Sequence, residues 1–541
     1  MNGIKTKRII FLIAVVFLCA VQVAAQEYQW SVQLKNYISA ETNEAPDAFL
    51  WIPDNCRRVR AVIVGQHNMC EETIFNNPGF RQTLRKLGFA IIWITPGIDQ
   101  RWDVKNGCQR VFDNMMKDLA DVSGYSELEF APIVPLGHSA MATFPWNFAA
   151  WNKDRTLAVI SYHGDAPRTN LTGYGLENLE WGRNRNIDGV PGLMIEGEYE
   201  WWEARVNPAL AFRMMYPESC ISFLCDAGHG HFDVSDEVIN YICLFLKKAA
   251  QYRLPENKSL NKSMPLLNVN PENGWLARRW APFSSGRPLP APVALYKGDP
   301  HDAFWYFDEE IAEATEKYYA HERKKMPQYI SFSAAGRLFP FDAKSHAQYN
   351  AGALKPEGKT LAIHLSAVFT DSLHQAYSKA HSGTPIGIER ICGPVEKIND
   401  TTFAVRFYRM GLNNAKRTND VWLVAYNKGD GIYKSTVQQF NFKVVYPLTE
   451  GKPQHILFPA IADVKEGTEY VRLNAGADSG LPVYYYVHQG PAKIVGNKVV
   501  FTKVPPRAKY PVKVTLMAWQ YGVEGKVQSA PPVERSFYIT R

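Results

Sequence analysis

One short segment constrains the fold of this chain more than any other. An apolar run of strand type, residues 131–136, is followed by Gly137-His138-Ser139-Ala140-Met141 and then by a helix-forming stretch, residues 142–149. A strand that turns sharply into a helix exposes a serine at the tip of the turn and leaves backbone N–H groups free at the start of the helix. The usual pattern is G-x-S-x-G, and here Met141 stands in place of the second glycine. Ser139 is therefore a candidate nucleophile.

Strands and helices alternate around this turn, from residue 26 to about residue 255. Apolar runs predict further strands at residues 48–53, 59–65, 89–94, 157–162, 191–197 and 220–225. The run at 89–94 is apolar throughout, as expected of a parallel strand that is covered on both faces. Helical spacing is present at residues 80–87, 111–119 and 238–250. This order predicts an α/β fold with a doubly wound sheet and right-handed crossovers.

The first 25 residues have the features of a signal peptide. Basic residues precede an apolar stretch at 9–21, and the small residues Val23-Ala24-Ala25 follow it, which predicts cleavage after Ala25. We therefore expect an exported protein, periplasmic or extracellular. No later stretch is long and apolar enough to predict membrane insertion after cleavage. The net charge of +7 is not concentrated in a long Lys/Arg tract, so nucleic acid is not expected as a partner.

The cysteine pattern indicates neither a metal site nor a complete set of disulfides. The chain has 8 cysteines, and Cys19 lies in the predicted signal peptide, so an odd number remains and at least one thiol is unpaired. Cys70 with Cys108 is a candidate disulfide, although spacing does not decide the pairing. The sequence contains no C-x-x-C and no H-x-x-x-H motif, so we expect no structural zinc site. No metal and no organic cofactor is predicted.

The periodicity changes after a connection rich in Pro, Asn and Ser at residues 255–292. Strand-like runs then predict a β-rich middle domain, residues 265–450, with one helix-like insert at 303–325. Short, evenly spaced strands near the end of the chain predict an immunoglobulin-like β-sandwich domain, residues 451–541. The catalytic domain is assigned to residues 26–255.

A base and an acid for Ser139 are expected on later loops of the doubly wound region. In hydrolases of this kind the chain order is Ser, acid, His, with the His after the last strand. Two histidines follow the last predicted strand, and His231 is favoured over His229. Glu200, just after the strand at 191–197, is favoured as the acid. Asp165, after the preceding strand, is the alternative.

Backbone N–H groups and aromatic side chains complete the predicted site. The loop after the strand at 59–65 is in position to supply one oxyanion donor, from Asn68 or Met69, and Ala140 would supply the second. Trp201 and Trp202 follow the predicted acid on a loop that faces the serine, so they are candidates to stack on sugar rings. The 14 tryptophans of the chain are otherwise expected to pack in cores and interfaces.

Residues 26–250 resemble an α/β-hydrolase of the type found among exported bacterial carbohydrate esterases. The motifs that carry the resemblance lie at residues 66–72, 88–93, 137–141, 197–200 and 228–233. The resemblance implies a serine esterase that removes an acyl or methyl ester from a polysaccharide or oligosaccharide. In this interpretation Ser139 attacks the ester, His231 transfers the proton, and Glu200 orients the histidine.

The sequence leaves the ester and two other functions open. Acetyl, feruloyl and uronate methyl esters are not distinguished. A positive charge near the serine would favour a uronate, and Arg101, Arg168 and Arg205 are its candidate sources. One alternative function is a glycan-binding or scaffold protein with a degenerate hydrolase domain, which Met141 supports. The other is a serine peptidase or lipase of the same fold.

Overall fold

The computed structural model describes residues 28–39, 42–169, 177–200, 202–256, 265–283, 287–412 and 418–541. The predicted signal peptide therefore lies outside the described residues. Within these ranges, none of the helices combines the length and apolar character that a membrane crossing requires.

An eight-stranded sheet forms the centre of the first half of the chain. Its strands are β1 Trp30–Gln33, β2 Asp47–Trp51, β3 Ala61–Gln66, β4 Phe89–Thr95, β5 Ile133–His138, β6 Val159–Tyr162, β7 Pro191–Gly197 and β8 Cys220–Asp226. The order across the sheet is β1-β2-β4-β3-β5-β6-β7-β8. Strand β2 is antiparallel to both of its neighbours, and the pairs from β4 to β8 are parallel. The sheet confirms the α/β-hydrolase part of the predicted fold.

Helices cover both faces of this sheet. They are α1 Cys70–Asn76, α2 Pro78–Leu87, α3 Cys108–Ser123, α4 Phe144–Trp151, α5 Trp202–Met215 and α6 Asp236–Arg253. Every residue of β4 and β5 is buried because both faces of these strands are covered. Helix α2 begins where the Asn77 side chain accepts the N–H groups of Gly79 and Phe80, and it ends at Gly88, whose φ of 69° few other residues tolerate.

The segment after α6 extends the same layered structure. It contains β9 Trp275–Arg278, β10 Ala291–Pro292, β11 Ala303–Tyr306 and α7 Glu309–Glu322. Ser222 Oγ donates to the carbonyl of Trp305 at 2.7 Å, and Tyr306 Oη donates to the carbonyl of Phe223 at 2.7 Å, so β11 packs against β8. This segment belongs to the core of the first half, whereas the sequence analysis places it in the middle domain. The predicted helical insert at 303–325 begins with a strand.

A β-rich region follows α7. Its strands are β12 Tyr329–Ala334, β13 Arg337–Leu338, β14 Asn350–Leu354, β15 Ala362–His364, β16 Ser366–Thr370, β17 Gly387–Cys392, β18 Val395–Asn399, β19 Thr402–Val405, β20 Asp420–Asn427 and β21 Thr436–Val444. They form sheets of order β13-β12-β16, β14-β21-β20-β17 and β15-β19-β18. Phe332, Phe403 and Phe440 are among the residues buried between these sheets.

The last part of the chain forms further sheets. Its strands are β22 Ile456–Leu457, β23 Val464–Lys465, β24 Tyr470–Arg472, β25 Gly476–Ala477, β26 Tyr484–Gln489, β27 Ala492–Val495, β28 Lys498–Phe501, β29 Val512–Gln520 and β30 Ala530–Thr540. The larger sheets have the orders β23-β30-β29-β26 and β24-β28-β27. Val499 from one sheet and Val514 from the other lie in one apolar cluster. The immunoglobulin-like assignment stays a prediction.

The candidate disulfide between Cys70 and Cys108 is not formed in this structure. Cys70 lies in the apolar core on one face of the eight-stranded sheet, and Cys108 lies in the core on the other face. The sheet separates the two side chains, and both Cys70 and Cys108 are buried thiols.

Candidate active site

Ser139 lies on a strained turn between β5 and α4. Its φ is +53°, and a single 3-10 turn, Ser139–Met141, follows directly. A left-handed conformation is unfavourable for a residue with a side chain, and it is found where the surrounding structure enforces it. The side chain is 3% exposed and lies at the carboxyl end of the parallel strands. This geometry is the strand–turn–helix arrangement of a nucleophile elbow.

Close backbone packing around the turn depends on glycines. A Cβ atom at Gly137 would lie 1.8 Å from the carbonyl oxygen of Met141, and one at Gly164 would lie 1.9 Å from the Cβ of Ala142. Met141, which replaces the second glycine of the pattern, directs its side chain towards Gly97. A Cβ at Gly97 would lie 2.7 Å from Met141 Cε. Because Gly97 has no side chain, the facing loop leaves space for the side chain of Met141.

His231 lies between Ser139 and Glu200 and is hydrogen-bonded to both. It lies on the loop between β8 and α6, and its Nε2 is 2.7 Å from Ser139 Oγ. Its Nδ1 is hydrogen-bonded to Oε2 of Glu200. Burial lowers the pKa of His231, although the Glu200 carboxylate opposes this effect. A neutral imidazole in this position can accept the serine proton at neutral pH.

Glu200 follows β7, and a hydrogen bond within the same turn fixes its side chain. Its Oε1 accepts the N–H of Gly197 at 2.7 Å, and its Oε2 lies 3.3 Å from Nη1 of the buried Arg205. Burial alone would raise the pKa of Glu200, but its interactions with His231, with His163 and with the Arg205 guanidinium hold it well below its usual value. The carboxylate is therefore ionised beside His231.

The alternative acids have other partners. Oδ2 of Asp165 accepts the hydroxyl of Thr143 at 2.9 Å. Glu198 binds Lys434 at 2.6 Å. The carboxylate that contacts His231 Nδ1 is that of Glu200, as the sequence analysis favours.

His229, the alternative base, is paired with carboxylates. Its Nδ1 is 2.5 Å from Asp233 Oδ2, and its Nε2 is 3.9 Å from Asp226 Oδ1. Although burial disfavours the charged ring, Asp226 and Asp233 raise the pKa of His229 to about 10. A histidine that stays protonated at neutral pH cannot accept a proton from serine. The geometry therefore favours His231.

The same three residues are the group in the described ranges whose spacing suits a metal ion. The protonated His229 already supplies a positive charge between Asp226 and Asp233, which offsets one of the two carboxylate charges.

Two further histidines hold the backbone of His231, and the sequence analysis does not identify them as part of the site. Nε2 of His138 lies 2.9 Å and Nδ1 of His163 lies 3.0 Å from the carbonyl oxygen of His231. A carbonyl only accepts hydrogen bonds, so each of these nitrogens carries a proton. Nδ2 of Asn68 lies 3.3 Å from His138 Nδ1, which is then the acceptor. The available signal is their position, since His138 is the last residue of β5 and His163 directly follows β6.

The structure corrects one part of the predicted oxyanion hole. The backbone N–H groups of Asn68 and Met69 donate to Oε2 of Glu71 at 3.1 Å and 2.9 Å. They close the start of α1 and are not directed at a substrate oxygen. Ala140 is the second residue of the turn that begins at Ser139, and the first N–H groups of a helical turn lack acceptors within the turn. The role of Ala140 as an oxyanion donor stays a prediction.

A cleft of about 890 Å³ lies over Ala140 and Met141. The first half of the chain lines it with Tyr37, His67, Asp99 and Arg101, among others. The β-rich region lines it with residues that include His346, Tyr408, Asp420 and Trp422. The sequence analysis does not identify this second group.

Of the two predicted substrate-binding tryptophans, the described one, Trp202, does not line this cleft. Trp201 lies outside the described residues. The ring of Trp202 packs edge-on against Phe223 of β8 at 5.3 Å, because α5 begins at this residue and turns the side chain onto the sheet. Trp202 is therefore part of the core packing and does not face Ser139.

The candidate arginines differ in their surroundings. Arg101 lines the cleft and donates to the carbonyl of Glu177 at 2.7 Å. Arg168 binds Glu180 at 3.2 Å. Arg205 is buried and pairs with Glu196 at 3.0 Å. Of these three side chains, Arg101 alone lines the cleft.

Comparisons with known proteins give matches in structure only. No protein-family model and no curated protein sequence matches this chain. Est1E from Butyrivibrio proteoclasticus is 16% identical, with 40% of this chain and 98% of that chain covered at a TM-score of 0.27. An S-formylglutathione hydrolase from Agrobacterium tumefaciens is 11% identical, with 41% and 94% covered at a TM-score of 0.29. A dienelactone hydrolase from Anabaena variabilis is 14% identical, with 43% and 99% covered at a TM-score of 0.26.

Proposed function

We propose that this protein is a serine esterase that removes an acyl or methyl ester from a polysaccharide or oligosaccharide. The observation that carries the proposal is the hydrogen-bonded series from Ser139 Oγ through the His231 ring to the Glu200 carboxylate. A nucleophile, a neutral base and an ionised acid in this order are what acyl transfer through a serine requires. The predicted signal peptide supports a place outside the cytoplasm.

In the proposed reaction Ser139 Oγ attacks the ester carbonyl carbon while His231 Nε2 takes the hydroxyl proton. Glu200 stabilises the imidazolium that results, and the Ala140 N–H stabilises the oxygen that becomes negative. Collapse of the tetrahedral intermediate breaks the bond to the alcohol oxygen, and His231 returns the proton to that oxygen. Water then attacks the acyl-enzyme by the same steps and releases the acid.

Residues around the three side chains support their proposed roles. The His231 carbonyl is held by His138 and His163, so the ring is fixed from its backbone as well as from Glu200. Arg205 balances the buried negative charge of Glu200. The cleft wall is rich in polar and aromatic groups, which suits a substrate with many hydroxyl groups rather than a long acyl chain.

The decisive experiment compares Ser139→Ala with Ser372→Ala, a change at an exposed serine of the β-rich region. Ser139→Ala should lower kcat on 4-nitrophenyl acetate by about 10⁵–10⁶-fold, the order found when a serine nucleophile is removed. It should also abolish labelling by a fluorophosphonate probe, while its unfolding curve matches that of the parent protein. The control variant, Ser372→Ala, should retain both the esterase activity and the labelling by the probe. Full activity in Ser139→Ala would rule the mechanism out.

The same labelling experiment separates the proposal from a glycan-binding protein with a degenerate hydrolase domain. That alternative rested on Met141, and Gly97 leaves space for the side chain of Met141. Reaction of the parent protein at Ser139 would support the esterase. A parent protein that binds glycan and does not react with the probe would support the alternative.

A further inference from the structure

We propose that the β-rich region binds the alcohol part of the ester and that His346 determines specificity for a neutral alcohol with several hydroxyl groups. This inference rests on the proposed esterase function and adds to it the side of the substrate that the second half of the chain contacts. It is carried by the position of His346, by the way its side of the cleft is fixed, and by the polar groups around it.

The wall of the cleft that carries His346 is firmly attached to the hydrolase fold. Glu72 of α1 binds Nη2 of Arg390 at 2.5 Å and the hydroxyl of Tyr408 at 2.8 Å, and its side chain is 2% exposed. The neighbouring Thr73 donates to the carbonyl of Ile391 at 2.7 Å. Because a buried carboxylate is costly to leave unpaired, these contacts hold the two regions in one arrangement.

His346 lies next to the proposed base, on the cleft side. Its ring centroid is 5.6 Å from that of His231 and 4.8 Å from that of Phe232. In the proposed reaction His231 Nε2 gives its proton to the alcohol oxygen, whereas the acyl oxygen is held at Ala140. A side chain beside His231 therefore contacts the alcohol and not the acyl group.

The state of the ring fits a hydroxyl partner. Burial, the neighbouring His231 and the positive charge of Arg205 lower the pKa of His346 to about 4, so the ring is neutral at neutral pH. A neutral imidazole has one donor nitrogen and one acceptor nitrogen, and a hydroxyl group likewise donates and accepts. An imidazole nitrogen can therefore form a hydrogen bond with a hydroxyl on the carbon next to the ester, as in a sugar ring.

The charges that line the cleft favour a neutral alcohol over a uronate with free carboxylates. Asp99 and Asp420 line the cleft together with Arg101. Oδ1 of Asp99 accepts the backbone N–H of Arg101 at 2.8 Å, and Oδ2 of Asp420 accepts Trp422 Nε1 at 2.9 Å, so both carboxylates are held in place. Arg101 adds one positive charge, but the two fixed carboxylates outnumber it and repel a further carboxylate, while their oxygens accept hydrogen bonds from hydroxyl groups.

The test compares one acyl group on two alcohols. The substrates are the acetyl and feruloyl esters of methyl xyloside, each with one ester and free neighbouring hydroxyls, and the matching 4-nitrophenyl esters. His346→Ala should raise KM for the sugar ester about tenfold, the value of one neutral hydrogen bond, and change kcat much less. The ratio of kcat/KM between sugar and aryl ester should fall by a similar factor. His346→Gln keeps a donor and an acceptor, so its ratio of kcat/KM between the sugar ester and the aryl ester should lie close to that of the parent protein.

The control is His364→Ala, because His364 is an exposed histidine of the same region that does not line the cleft. This control should leave the ratio unchanged. If His346→Ala lowers kcat/KM equally for the sugar ester and the aryl ester, the alcohol-binding proposal is wrong while the esterase proposal stands. The same conclusion follows if the parent protein cleaves aryl esters and no sugar ester. If the parent protein cleaves none of the esters and Ser139 does not react with the probe, both proposals fall.

Discussion

Oε1 of Glu71 accepts the backbone N–H of His138 at 2.6 Å, and this bond joins the first turn of α1 to the residue that precedes Ser139. The other oxygen of Glu71 accepts the N–H groups of Asn68 and Met69. The side chain is fully buried, and burial raises the pKa of Glu71 to about 7 even though the N–H groups favour its charged form. The Glu71 carboxylate thus fixes the segment before α1 and the turn at Ser139 relative to each other.

Glu71→Gln should weaken the hydrogen bonds that connect the start of α1 to the residue before Ser139. A glutamine has one acceptor oxygen, so its NH₂ group must face at least one backbone N–H, and a buried donor then loses its partner. We expect a loss of about 1–3 kcal/mol in the free energy of unfolding, measured in urea, together with a lower kcat. Glu272→Gln, at an exposed position, is the matched control. Unchanged stability and kcat would show that Glu71 does not position the turn.

The stability of the protein should depend on the charge of His229. Its pKa is about 10 in the folded protein and about 6.5 in an unfolded chain. The folded value is the higher one, so the stabilisation is fully present below about pH 6.5 and is lost as the pH rises through about 10. Urea unfolding of the parent protein and of His229→Gln between pH 6 and pH 10 measures the difference. The two stabilities should converge at the alkaline end, and a constant difference would contradict the assignment.

The pH dependence of activity should reflect His231. Because burial lowers its pKa, kcat/KM should stay high to a pH below 6.5 before the ring becomes protonated. Glu200→Gln removes the charge that raises this pKa, so the acidic limb should move further down, and kcat should fall by about 10³–10⁴-fold. Glu203→Gln, at a surface ion pair with Arg279, should leave the profile unchanged. An acidic limb above 6.5 in the parent protein would contradict a buried neutral base.

The contact between Met141 and Gly97 predicts a compensating pair of substitutions. Gly97→Ala places a methyl group 2.7 Å from Met141 Cε, so the methionine must move within the cleft floor. We expect about 1–2 kcal/mol of destabilisation and a higher KM. In the double variant with Met141→Ala the clash is absent, so the cost of Gly97→Ala should largely disappear in a double-mutant cycle. Additive effects would mean that the two side chains do not compete for space.

The elements that position Ser139 could be predicted because local patterns determine them. The apolar runs at β4 and β5 require cover on both faces, and Gly137 with Ser139 marks the turn. In a parallel sheet, loops at the carboxyl ends of the strands lie together, so Glu200 and His231 could be expected near the serine although they are far apart in sequence. The Glu200–His231 hydrogen bond follows from this topology.

The remaining features depend on contacts that no local pattern encodes. The engagement of the Asn68 N–H by Glu71 follows from the way α1 begins. Trp202 was predicted on a loop, but α5 starts there and the ring packs against Phe223. The cleft wall at His346 comes from a segment more than 100 residues after His231, and nothing in its sequence marks it as part of the site.

The ion pair between Glu72 and Arg390 has a consequence for how this chain can evolve. The two residues lie on opposite sides of the boundary predicted near residue 255. Glu72 belongs to α1 of the first half, and Arg390 belongs to β17 of the β-rich region. Exchange of the β-rich region for an unrelated one would leave the Glu72 carboxylate buried without its counterion, at a cost of about 3–5 kcal/mol. The first half of the chain and the β-rich region are therefore coupled energetically, and replacing the β-rich region would have to supply another counterion in place of Arg390.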